Sequence, residues 1–111
     1  MSLKLGATKY MIPINENAFE PETSVGISIT QFSTQYCGTC RLQERELLKS
    51  SQSFPNIKFF KIDAEECKHL TNDLNIKSVP TLILVKDGKV IDKHNDFHKS
   101  EDINKLLQNI V

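Results

Sequence analysis

The chain has 111 residues, 39% hydrophobic and 25% charged, the size and make-up of one globular domain with its own core. Basic and acidic residues stand at 14 each, so no field of one sign draws in nucleic acid or an anionic membrane surface. The longest uninterrupted apolar run, residues 82–85, is far short of a membrane span. Three cysteines make an odd count for a disulfide-stapled secreted module, and the first thirty residues lack the basic-then-apolar pattern of a secretory leader. The expected setting is a reducing cytoplasm, where a cysteine pair is present for its reactivity.

In chain order, residues 10–14 predict a short strand and residues 15–19 a helical turn that Pro21 stops. Residues 25–32 alternate β-branched and small side chains and predict a strand running up to the first two cysteines. From Gly38 to about Gln52 a proline-free charged stretch predicts a long helix, and residues 56–63 a further strand. Cys67, Leu70, Thr71 and Leu74 recur at helical spacing, which predicts a helix over 64–74 with that face inward. Residues 81–85 predict a buried strand, 86–89 a hairpin turn, and Val90-Ile91 the start of the returning strand. Ser100 is the expected cap of a last helix, with Glu101 and Asp102 suited to its positive end and Ile103, Leu106, Leu107 and Ile110 as its apolar stripe. The order β-α-β-α-β-α-β-β-α implies an α/β fold: one domain over residues 1–111, with a mixed central sheet and helices on both faces.

The chemistry concentrates in Tyr36-Cys37-Gly38-Thr39-Cys40. A strand ends just before this segment and a helix opens inside it. Cys37 therefore falls at a helix N-terminus, where free N–H groups and the macrodipole favour a thiolate. Cys40, one turn on, faces the same side. Only a thiolate attacks a disulfide sulfur, so the pattern suits Cys37 as attacking thiol and Cys40 as the thiol that resolves the mixed disulfide. The competing readings are an incidental pair or half of a structural zinc site, for which the only further candidates are Cys67 and His69. Cys67 is either a packed core thiol or a regulatory one. His94 and His98, with Asn95 and Asp96 between them, are expected as exposed loop histidines or, less simply, as metal ligands.

The strand, the Cys-Gly-Thr-Cys helix start, Ser78-Val79-Pro80-Thr81 and the hairpin Lys86-Asp87-Gly88-Lys89 together resemble the thioredoxin family, element by element over residues 10–110. The resemblance implies a thioredoxin fold and a thiol–disulfide oxidoreductase that mainly reduces protein disulfides. Its redox centre would be the Cys37–Cys40 pair itself, with no metal or organic cofactor. It further implies a cis Pro80, a Val79 backbone that pairs with substrate, and a substrate surface that includes Tyr36, Gly38 and Thr39. A thioredoxin reductase is the implied electron source and a monomer the implied state.

Several positions depart from the family pattern. Its buried aspartate, six residues before the first cysteine, is Gln31 here, which takes no proton. The lysine that pairs with that aspartate is expected at Phe59, so both charges of the pair would be gone. Tyr36 stands for the usual tryptophan, Thr39 for proline, and Asp96 for a glycine of the docking surface. Gln31 is then either a satisfied buried amide or part of the mechanism. Glu44, one turn after Cys40, is either a replacement proton acceptor or one solvated charge among Arg41, Arg45 and Glu46. Two other function classes stay open: an interaction module on the same fold, favoured by Gln31 and Asp96, and a metal-binding protein.

Overall fold

A computed structural model describes residues 11–111. Its elements are β1 (Ile12–Pro13), α1 (Glu16–Thr23), β2 (Ile27–Ser33), α2 (Gly38–Ser51), β3 (Lys58–Asp63), α3 (Lys68–Asp73), β4 (Thr81–Lys86), β5 (Lys89–His94) and α4 (Ser100–Gln108). They follow the expected order; Tyr10, expected to open β1, lies outside the described residues. The strands form one sheet in the order β1-β3-β2-β4-β5. β3 is parallel to β1 and β2, while β4 is antiparallel to β2 and β5. The central strand is therefore β2, which leads directly into the cysteines.

Alternation along the strands divides the core between the two faces of the sheet. Ile29, Phe59, Leu82 and Leu84 pack with Leu47 of α2 and Ile103 and Leu107 of α4. Phe32, Ile62, Ile83 and Val85 pack on the other side with Phe19 of α1 and with Cys67 and Ile76 around α3. Asp87 and Gly88, with φ of 50° and 82°, make the two-residue turn between β4 and β5, both in the left-handed region such a hairpin requires. The turn is tied down by the residue that leads into the neighbouring strand β2. Gly26 N donates to Asp87 Oδ1 at 2.7 Å, and Asp87 N donates back to Gly26 O at 2.8 Å.

Several boundaries differ from those the sequence predicts. Pro21 lies inside α1. The helix is held on both sides of the proline, since Phe19 and Thr23 are buried and the Thr23 hydroxyl donates to Phe19 O at 2.7 Å. β2 starts at Ile27 because Gly26, at φ 81°, breaks the extended run. α3 is shorter than 64–74: Asp63 Oδ1 accepts from Glu65 N and Glu66 N, folding those residues into a turn. Cys67 consequently sits at the cap of α3, still on its buried side. His94 closes β5 instead of opening a loop, and both histidines are half-buried with their rings edge to face at 5.0 Å.

Ser100 is the first residue of α4, not its cap; Lys99 holds that place without a side-chain cap bond. The acceptor comes instead from α2, as Glu46 takes the Ser100 N–H at 2.8 Å. On the same side of α2, the Gln43 amide both accepts from His98 N and donates to His98 O, each at 2.8 Å, and Ser50 Oγ donates to Ser100 O. Glu46 is thus not one of a set of solvated charges. The Ser100 N–H, followed by the Lys49 ammonium, holds its carboxyl below the usual carboxylate range. A depressed folded-state pKa contributes stability above the unfolded value that is lost as the pH falls through the folded one. Glu46→Ala should therefore cost about 1 kcal/mol at neutral pH. Urea titrations should show that difference shrinking as the pH drops through about 4 and below. A pH-independent difference would mean that packing, not the charged cap, is what the substitution removes.

Candidate functional site

Cys37 occupies the N-cap of α2 with extended backbone, and its sulfur accepts the N–H of Cys40 at 3.1 Å. A sulfur in that place receives both a direct N–H bond and the positive end of a 14-residue helix. That is the environment that favours a thiolate. Cys37 and Cys40 form a disulfide, with Cα atoms 5.2 Å apart. Their exposure differs: Cys40 is 4% exposed, whereas Cys37 is half-exposed, between the open Tyr36 and Gly38. Tyr36 itself is 87% exposed and Thr39 is open to solvent.

The Val79–Pro80 bond is cis, at the entry to β4, with Pro80 buried and Val79 half-buried. Phe32 of β2 lies in register with Thr81, so the end of the β2 strand and the start of β4 meet at the same end of the sheet.

Behind the disulfide a cleft of about 660 Å³ opens between α1, α2 and β3. Cys37, Cys40, Arg41 and Glu44 line it from α2, and Lys61 and Asp63 from β3. Gln31, 1% exposed, donates through Nε2 to Cys40 O at 2.9 Å, while its Oε1 has no partner. It is therefore only half satisfied. In register beside Gln31 on β3 is Lys61; Phe59 lies beside Ile29, two residues away along the strand. A lysine therefore stands beside Gln31 even though Phe59 carries none. Its ammonium reaches the carboxylate of Glu44 at 3.3 Å. Lys61 is the residue that sequence reasoning missed, and the signal was available: it interrupts the otherwise apolar run Phe59-Phe60-Lys61-Ile62 of a strand.

Cys67 lines the far wall of the same cleft. Burial pushes its thiol up, and the charges of Glu16, Asp63 and Glu66 add to the effect despite a bond from the Glu16 backbone. Cys67 packs in the core beside Phe32 and Ile62. Among the described residues no group of three histidine, cysteine, aspartate or glutamate side chains is placed to hold a metal ion. Among the same residues no helix is long and apolar enough to cross a membrane.

The thioredoxin family model matches residues 10–109. The chain belongs to the thioredoxin family. Among curated relatives, thioredoxin H-type of Ricinus communis is 30% identical over 79 residues, 71% of this chain and 67% of its own. Among solved structures, oxidized mitochondrial thioredoxin 3 of Saccharomyces cerevisiae superposes with a TM-score of 0.81 at 22% identity, covering 90% of this chain and 95% of its own. A chain of the complex between ferredoxin:thioredoxin reductase and thioredoxin f2 gives 0.80 at 24% identity, covering 90% and 94%. At these identities the two structures speak to the fold. With the family match and the Cys37–Cys40 disulfide, the thioredoxin assignment makes the protein a thiol–disulfide oxidoreductase that reduces protein disulfides.

Proposed function

We propose that Cys37 is the attacking thiol and Cys40 the resolving one in the reduction of protein disulfides. The observation that carries this reading is the asymmetry of the pair: the helix-capping Cys37 sulfur on the open side and Cys40 beneath it, 4% exposed. Cys37 thiolate displaces one sulfur of the target disulfide, forming a mixed disulfide and releasing a target thiolate. Cys40 then attacks the Cys37 sulfur, closing the internal disulfide and releasing the second target thiolate. Two electrons pass to the target, and the two sulfurs carry them without a metal or organic cofactor.

Substrate contact is assigned to Tyr36, Gly38 and Thr39, which are exposed beside Cys37, and to the Val79 backbone ahead of cis-Pro80. A thioredoxin reductase is the proposed electron source; a chain similar to this one in fold occurs in a complex with ferredoxin:thioredoxin reductase. The 111 residues are read as one domain that works as a monomer in a reducing cytoplasm, with neither nucleic acid nor membrane as partner.

The test is reduction of insulin with dithiothreitol as electron donor, alongside the reduction potential of the Cys37–Cys40 couple. Thr39 lacks the restraint proline gives a helix start, so the potential should lie between about −270 and −200 mV. A value near −120 mV, that of a dedicated oxidant, would overturn the reductase reading. Failure to reduce insulin would favour the second reading, an interaction module with weak or partner-specific redox activity, in which the exposed Asp96 in the loop before α4 reshapes the docking surface.

A further inference from the structure

Resolution needs Cys40 to lose a proton where burial holds a thiol in its neutral form. Gln31, the side chain bonded to the Cys40 carbonyl, has no ionisable group to receive it. We propose that the proton acceptor has moved from the strand to the helix: Glu44, held by Lys61, receives the Cys40 proton. This rests on the assignment of Cys40 as the resolving thiol.

Four observations converge on Glu44. It lies four residues after Cys40 on α2 and lines the same cleft, so the two Cβ atoms are about 6 Å apart, a span that one water closes. Its side chain is only part-exposed, at 27%, and its carboxylate is bonded to the Lys61 ammonium at 3.3 Å. Lys61 is in register with Gln31, so the cation stands beside the position from which a carboxylate is missing and reaches across the cleft to the one that is present.

The other carboxylates of the cleft are differently placed. Asp63 is engaged by two backbone N–H groups, and Glu16 accepts the Leu70 N–H from α3. Glu66 is exposed, on the segment leading to α3 beside the buried Cys67. Arg41, on the helix of Glu44, is exposed at the cleft mouth. Glu44 thus faces a cation on β3 and an arginine on its own helix, with the acidic groups of α1, β3 and the α3 approach across the opening.

The step balances as a proton transfer coupled to thiol–disulfide exchange. The Cys40 S–H bond breaks with its proton passing to Glu44, the Cys40–Cys37 S–S bond forms, and the bond from Cys37 to the target sulfur breaks. The departing target thiolate takes up a proton, and Glu44 returns its own to solvent. Lys61 is a positioning residue: it fixes the carboxylate at the cleft.

The experiment follows the reduced protein reacting with 5,5′-dithiobis(2-nitrobenzoate) in a stopped-flow instrument from pH 6 to pH 9. Attack by Cys37 releases the first thionitrobenzoate in a phase that depends on reagent concentration. Resolution by Cys40 releases the second in a phase that does not. Glu44→Gln should slow the second phase about tenfold at pH 6.5, the lower end of what a positioned base supplies. The deficit should shrink toward pH 9 as hydroxide takes over, with the first phase within twofold of wild type throughout. Gln31→Asp added to Glu44→Gln should restore the rate at low pH. Lys61→Met should slow the second phase at pH 6.5 by less than Glu44→Gln does and leave the first phase unchanged, and Lys61→Arg should restore it. A Glu44→Gln profile that superimposes on wild type, or a deficit equal in both phases at every pH, would overturn the proposal. Cys40→Ser serves as control: a second phase that survives in it would mean that Cys40 does not resolve, a failure of the underlying assignment and not of Glu44 alone.

Discussion

Cys37→Ser should lower the rate of disulfide reduction by on the order of a thousandfold or more, because the group that forms the first covalent bond is gone. Cys40→Ser should also stop turnover, yet leave the first attack intact, so the protein accumulates as a mixed disulfide with its substrate. The two variants separate because the sulfurs are not equivalent: one caps α2 on the open side and the other is buried beneath it. Non-reducing gels and intact mass after incubating each reduced variant with a disulfide-containing substrate would show the adduct on Cys40→Ser and none on Cys37→Ser. An adduct on Cys37→Ser alone would reverse the roles. Cys67 contributes no competing adduct in this scheme, since burial and the surrounding carboxylates keep its thiol protonated.

The largest effect on stability is expected from Phe32→Ala. Phe32 is fully buried in the central strand, in register with Ile62 on one side and Thr81 on the other. Its ring meets Phe19 of α1 edge to face at 6.4 Å. Truncation removes the ring's transfer free energy and leaves a cavity beneath α1, a loss of about 3–5 kcal/mol. In a domain of this size that lowers the melting temperature by roughly 10 °C or more. Urea unfolding should show a lower midpoint with an unchanged slope. A loss under about 1 kcal/mol would mean that α1 collapses into the space, which its short length and internal proline would then explain.

What could be seen in advance was what neighbouring residues decide among themselves. The turn at Asp87-Gly88 is written in two adjacent residues, and β4 in an unbroken apolar run. The cysteine pair is legible because a strand ends and a helix begins within a few residues of it. The features that went unseen depend on residues far apart in the chain. Glu46 caps a helix whose first residue lies 54 positions later, so nothing near Ser100 announces it. Lys61 reaches Glu44 only once the β2–β3 register and the inward face of α2 are both fixed. Pro21 reads locally as a stop, but the burial of Phe19 and Thr23 outweighs one missing hydrogen bond.

The seam between α2 and the start of α4 bears on when the site comes into being. Gln43, Glu46 and Ser50, one side of the redox helix, are held by His98 and Ser100, and Leu47 between them packs against Ile103 and Leu107. A ribosome makes both active cysteines some sixty residues before it makes those partners. Until they emerge, the nascent chain carries a helix whose polar side chains are unpaired and whose apolar stripe has no lid. The redox centre is therefore made before the residues that seat it, and its competence waits for them.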